Sequence, residues 1–189
     1  MEPSTLYPLP DDLPVPVDDG ACDHLPGLHV PSVGLAATDG TTVALSNLPG
    51  TIVIYCYPRT GPPNGDIPKG WDDIPAARGC TPQSIAFRDH FQELRGLDVR
   101  VFGMSTQTTD YQREVAVRLH LPFPLLSDDH LALTRALRLP TFTVEGMELV
   151  KRLTLIVRDG VIEHVFYPVF PPDRNAGDVV EWLRQQPAR

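Results

Sequence analysis

The segment TIVIYCY, residues 51–57, is apolar at almost every position and runs directly into Pro58. An unbroken apolar run of this length reads as a strand buried on both faces, and proline closes it because it has no N–H to pair. Upstream, the stretch HVPSVGLAATDGTTVALSNLPG places Asp39-Gly40 between two short β-prone segments. That arrangement predicts a hairpin ahead of the buried strand.

After residue 80 the period lengthens. Ile85, Phe87, Phe91 and Leu94 are spaced for one helix running to about Arg95, with Thr81 as N-cap, Pro82 in the first helical position and Gly96 as the stop. A strand at DVRVFGMS follows, then a helix from Thr109 to His120 with Tyr111, Val115 and Leu119 on one face. A short strand over 123–126 and a helix after Asp128 come next. KRLTLIVRDG turns at Asp159-Gly160 into VIEHVFY, and DVVEWLRQQ supplies a closing helix. Strands alternating with helices, then a hairpin and a last helix, predict an α/β fold with a central mixed sheet flanked by helices.

Two stretches lack any period. Residues 1–19 are rich in Pro and Asp and read as an extended arm ahead of a single domain over 20–189. Residues 59–79 are dense in Gly, Pro and Asp, and a loop of that length inside a compact domain is either functional or disordered. Trp71 within it either pins the loop to the core or presents a lid or docking surface.

Composition narrows the function. The 189 residues carry 16 basic and 24 acidic side chains, a net charge of -8, with no cationic cluster larger than Lys151-Arg152. Nucleic acid and membrane surfaces are therefore not expected partners. The N-terminus has no basic region followed by an apolar core, and no later apolar run is long enough to span a bilayer, so a cytoplasmic location is expected. The six histidines and three cysteines include no CxxC and no metal-ligand spacing, so neither metal nor cofactor is expected.

Cys22, Cys56 and Cys80 are too few and too scattered for a disulfide scaffold. Cys80 differs from the others in sitting at a helix start, where unpaired backbone N–H groups stabilise negative charge on sulfur. On local physics it is either a nucleophile or a small buried cap residue, and Arg78 nearby either faces the sulfur or water.

The order of motifs around Cys80 resembles the peroxiredoxins, most closely the bacterioferritin comigratory protein or PrxQ branch. Tyr57-Pro58, Gly79-Cys80-Thr81, Gln83 and Phe87-Arg88-Asp89 stand in the family's order. GMSTQ at 103–107, LLSDDH at 125–130 and RLTLIVRDGVIEHVF from 152 follow in register, so the resemblance covers roughly 30–186. It implies a thioredoxin-like fold and an antioxidant thiol peroxidase acting on hydrogen peroxide or organic hydroperoxides, as monomer or homodimer. Cys80 would attack, Arg152 would donate to the sulfur and the departing oxygen, and Pro58 would shield the site. Gly79, Thr81, Gln83 and Arg88 would line the pocket or orient Arg152, although taken alone Arg152 is only an arginine at a strand end.

Three departures from the pattern stand out. Ala77 occupies the place of the family's threonine, three residues before the cysteine. An insertion over about 61–77 separates Pro58 from Cys80, which leaves Thr60 to approach the pocket from the other side. Ile85 occupies the position of the branch's resolving cysteine. Resolution then falls to an external thiol such as thioredoxin, glutaredoxin or a low-molecular-weight thiol, or to Cys56 or Cys22. Cys56 is either a core thiol or, sharing strand parity with Pro58, lies beneath the site; Cys22 is expected in an exposed, mobile loop. The competing function is a redox-sensing or interaction module with little turnover.

Overall fold

The computed structural model describes residues 9–61 and 65–187. Its centre is β3 (Thr51–Cys56), buried at all six positions, as an apolar run between two covered faces requires. The hairpin β1 (Gly34–Ala37) and β2 (Thr42–Ala44) turns where Asp39-Gly40 predicts. With β4 (Val99–Ser105), β5 (Leu125–Ser127), β8 (Leu153–Arg158) and β9 (Val161–Phe166) these strands form one sheet in the order β2-β1-β5-β4-β3-β8-β9. β3 runs parallel to β4 and antiparallel to β8, so the sheet is mixed as expected.

Helices cover both faces. Val53, Tyr55 and Tyr57 pack with α1 (Cys80–Asp89), α2 (Phe91–Gly96), α3 (Thr109–Arg118) and α5 (Asn175–Gln185). Ile52, Ile54 and Cys56 point the other way, into a core closed by α4 (Ala132–Leu137) and residues 22–30. No helix among the described residues is long and apolar enough to cross a membrane.

Several elements differ from expectation. The helix expected to start at Pro82 starts two residues earlier, at Cys80, with Gly79 as its cap at φ 103°, so that Pro82 falls third rather than first. Proline is tolerated there because the first-turn N–H groups have no partner within the helix. The same helix is divided at His90, and the left-handed residue that ends α2 is Asp98, not Gly96. On α3 the fully buried partner of Val115 is Gln112, with Tyr111 only half-buried; the Gln112 amide donates to Ser105 Oγ at 2.8 Å and the Leu126 carbonyl at 2.7 Å. A two-stranded hairpin, β6 (Thr141–Val144) and β7 (Met147–Val150), has no counterpart among the expected elements.

The non-periodic stretches are extended or looped where described. Residues 9–19 contain only a turn at 11–12, while 1–8 lie outside the described residues. Residues 65–79 form a loop with a short 3-10 turn at Trp71–Asp73. Trp71 is buried against Ala77, Val144 and Leu149, with its ring 6.0 Å from that of Phe142. It pins the loop to the β6–β7 hairpin.

Candidate active site

Cys80 is the first residue of α1, so its position is set by the turn before it. Gly79 takes a left-handed conformation that other residues adopt only with strain, and a Cβ there would overlap Pro172. Close packing of the loop against the segment before α5 thus requires glycine. Pro82 has no N–H, and the Gln83 N–H already donates to the Gly79 carbonyl at 3.0 Å. Among the described residues, the first-turn donors left for an incoming ligand are those of Cys80 and Thr81.

Arg152 enters from the residue before β8 and is 1% exposed. Burying a guanidinium costs several kcal/mol unless its donors are met. Here Nε donates to the Ala76 carbonyl at 3.1 Å, and Nη1 to Gln83 Oε1. Nη2 lies 3.1 Å from the Ala77 carbonyl, the Arg78 carbonyl and Cys80 Sγ alike. Two hydrogens serve three acceptors, so the sulfur competes with neutral carbonyls for the cation. Among the described residues, the acceptors around Arg152 are four neutral oxygens and one sulfur. Negative charge developing on that sulfur meets a guanidinium that no carboxylate has neutralised.

The inserted loop builds this arrangement. With Trp71 anchored, residues 76–78 present three successive carbonyls to the guanidinium, and Ala77 Cβ packs inward where a threonine hydroxyl was expected. Cys80 Sγ also lies 3.6 Å from the Ala77 carbonyl. A cleft walled by Pro16, Val17, Ile74, Phe142 and Tyr167 reaches Arg152 and Ala76 from the surface.

Thr60, Arg88 and the Arg78 side chain make their contacts elsewhere. Pro58 is buried just past the end of β3. Thr60 is engaged with Gln107 instead of the pocket: its N–H and Oγ1 donate to Oε1 at 3.0 and 3.2 Å, and Gln107 Nε2 donates to its carbonyl at 3.0 Å. Arg88 does not orient Arg152; it bonds Asp89 and the Leu119 carbonyl, tying α1 to the end of α3. The Arg78 side chain pairs with Asp72 at 3.1 Å and only its carbonyl serves the site. Ile85 is buried in the same apolar cluster as Cys80, and Thr81 is half-buried.

Cys56 is the core thiol of its two readings, and Cys22 is not in an exposed loop. By alternation along β3, Cys56 shares the face of Ile52 and Ile54, on the opposite side of the sheet from Cys80. Cys22 is not exposed: at 5% it belongs to the same apolar core as Cys56. Burial, then the nearby Asp19 charge, pushes the Cys22 thiol up to about 12, and burial pushes Cys56 up as well. Sequence reading missed Asn175, which joins Gln83 to Thr154 behind Arg152.

A family model described as Redoxin matches residues 25–180. The chain belongs to the redoxin family. Peroxiredoxin Q of Oryza sativa subsp. japonica, a chloroplastic protein, is 26% identical over 162 residues, covering 84% of this chain and 66% of the rice protein. The chain therefore spans just under two thirds of the rice protein's length. Peroxiredoxin Bcp of Escherichia coli K12 is 28% identical over 160 residues, 82% of this redoxin and 92% of that protein. The crystal structure of peroxidoxin BcpB from Mycobacterium tuberculosis superposes with a TM-score of 0.71 at 25% identity, over 87% of this chain and 100% of that one. This redoxin is thus a peroxiredoxin of the Q/Bcp type, with the thioredoxin-like fold that its motif order implied.

Proposed function

We propose that the chain is a thiol-dependent peroxidase in which Cys80 reduces hydrogen peroxide or an organic hydroperoxide. The observation that carries this is the placement of Arg152 Nη2 at 3.1 Å from Cys80 Sγ, inside a cradle of neutral acceptors. The thiolate attacks one peroxide oxygen in line. As the S–O bond forms and the O–O bond breaks, sulfur loses two electrons and the departing oxygen gains them, then takes a proton to leave as water or alcohol. The charge on that oxygen needs donors already in place, which Arg152 and the Cys80 and Thr81 N–H groups supply.

An external thiol regenerates the enzyme. It attacks the sulfenic sulfur, releasing water and forming a mixed disulfide that a second thiol reduces. Supporting this are Ile85 at the usual resolving position and the location of Cys22 and Cys56 across the sheet. Thioredoxin, glutaredoxin or a low-molecular-weight thiol fits the role, and three free cysteines suit a reducing compartment such as the cytoplasm.

The test is stopped-flow oxidation followed by mass spectrometry with a sulfenic-acid trap. Wild-type protein should be oxidised by hydrogen peroxide far faster than free cysteine, with the trap on Cys80 and no disulfide to Cys22 or Cys56. Oxidation no faster than free cysteine overturns the peroxidase reading, and an internal disulfide overturns external resolution.

A further inference from the structure

Gln83, Asn175 and Thr154 form a buried polar chain behind the guanidinium, exposed by 0%, 2% and 0%. Gln83 Nε2 donates to Asn175 Oδ1 at 3.0 Å, and Thr154 Oγ1 donates to the same oxygen at 2.7 Å. The three residues come from α1, α5 and β8, so the chain ties the helix bearing Cys80 to the strand that follows Arg152.

A guanidinium has donors only, so Gln83 must turn its carbonyl oxygen toward Arg152. Its amide nitrogen then points away and needs an acceptor, because a buried N–H left unmet costs about as much as a lost hydrogen bond. Asn175 Oδ1 is that acceptor, and the Thr154 hydroxyl holds it in place. Without Asn175 the Gln83 amide turns to find another acceptor and takes Oε1 away from Arg152. The cation then shifts among its remaining acceptors, including Cys80 Sγ.

We propose that Asn175 is a positioning residue for Cys80 chemistry: by accepting from Gln83 Nε2 it fixes the amide so that Oε1 holds Arg152 on the sulfur, with Thr154 supporting it. The inference rests on the reading of Cys80 as the sulfur that peroxide oxidises. It follows from a neutral glutamine at position 83. A carboxylate there has two equivalent oxygens and presents an acceptor to Arg152 whichever way it turns, so it needs no orienting partner.

That difference supplies the test. Asn175→Ala is made in the wild-type and Gln83→Glu backgrounds, and Cys80 is followed in all four proteins by its rate with hydrogen peroxide and with iodoacetamide. Asn175→Ala should slow both reactions roughly tenfold beside Gln83 and less than about twofold beside glutamate. Equal losses in the two backgrounds would mean that Asn175 only supports the start of α5, and the inference fails. Should Asn175→Ala not fold, Thr154→Val takes its place in the same cycle, with an expected loss of about threefold beside Gln83 only; equal losses again overturn it. A wild-type protein that hydrogen peroxide oxidises no faster than free cysteine marks failure of the peroxidase reading instead, and the iodoacetamide rates still decide the role of Asn175.

Discussion

Cys80 and Cys22 are equally hidden, at 4% and 5% exposure, yet their surroundings on the two sides of the sheet are opposite in kind. Cys80 meets a guanidinium and, behind it, an amide network, with the Ala77 carbonyl 3.6 Å from the sulfur. Cys22 and Cys56 share an apolar core with Leu25, Ile54, Val150 and Leu153, and carboxylates lie near Cys22, so a charged sulfur there is penalised, by burial first. Burial alone does not decide what a thiol does; the sign of what faces it does.

The strongest way to break this contrast is to remove the cation. Arg152→Leu keeps much of the volume but deletes the donor to the sulfur and to the departing oxygen. Loss of one such preorganised donor typically costs a factor of roughly 100 to 1,000 in rate, and the peroxide oxidation rate of Cys80 should fall by about that much. The carbonyls of residues 76–78 would be left without their donor, so thermal stability should fall as well. An Arg152→Leu variant that keeps its peroxide rate would show that the helix start alone activates Cys80.

How much of this was legible follows the same division. β3, the hairpin at Asp39-Gly40 and the arginine-bearing strand could be read because apolar runs and turn dipeptides report local geometry. Gln112 and Asn175 could not, since a periodicity argument treats a polar residue as outward-facing, and only the fold shows that their amides have buried partners. Glu145-Gly146 between TFTV and MELV was a usable turn signal for the missed hairpin, and both residues do adopt positive φ. The cradle of carbonyls at 76–78 left no trace in side-chain identity, because backbone oxygens carry it. Ala77 shows the limit well: a missing hydroxyl looked like a loss, yet its carbonyl holds Arg152.

A middle-sized effect tests the apolar side. The Cys22 thiol is raised to about 12 in the fold from an ordinary value near 9. The folded state therefore holds its proton where the unfolded chain gives it up. The stabilisation is fully present below about pH 9 and drains away as pH rises toward about 12. Denaturant midpoints should fall across that window, and less steeply in Cys22→Ala. In native protein at pH 8, iodoacetamide should label Cys80 and reach Cys22 and Cys56 only after unfolding. Rapid native labelling of Cys22 would erase the contrast between the two faces.

The smallest effect concerns the neighbours Lys151 and Arg152, adjacent cations with opposite fates. Arg152 is enclosed, whereas the Lys151 ammonium reaches outward to Asp19 Oδ2 at 3.1 Å, and the Tyr167 hydroxyl donates to Asp19 Oδ1 at 2.9 Å. These partners, the tyrosine foremost, hold the Asp19 carboxyl down at about 2. A depressed carboxyl contributes above its ordinary value and loses that contribution as pH falls from about 4 through 2. The anchor is solvent-exposed, so global stability should barely respond to Asp19→Asn. Its effect belongs to the arm over 9–19, which crosses the cleft at Pro16 and Val17 and has little buried surface of its own. Limited proteolysis within the arm should rise severalfold in Asp19→Asn at pH 7, while the midpoint of global unfolding stays put. Unchanged cleavage would mean that apolar contacts of the arm hold it without the carboxylate. That outcome would confine the importance of charge in this molecule to the enclosed side of the Lys151-Arg152 pair.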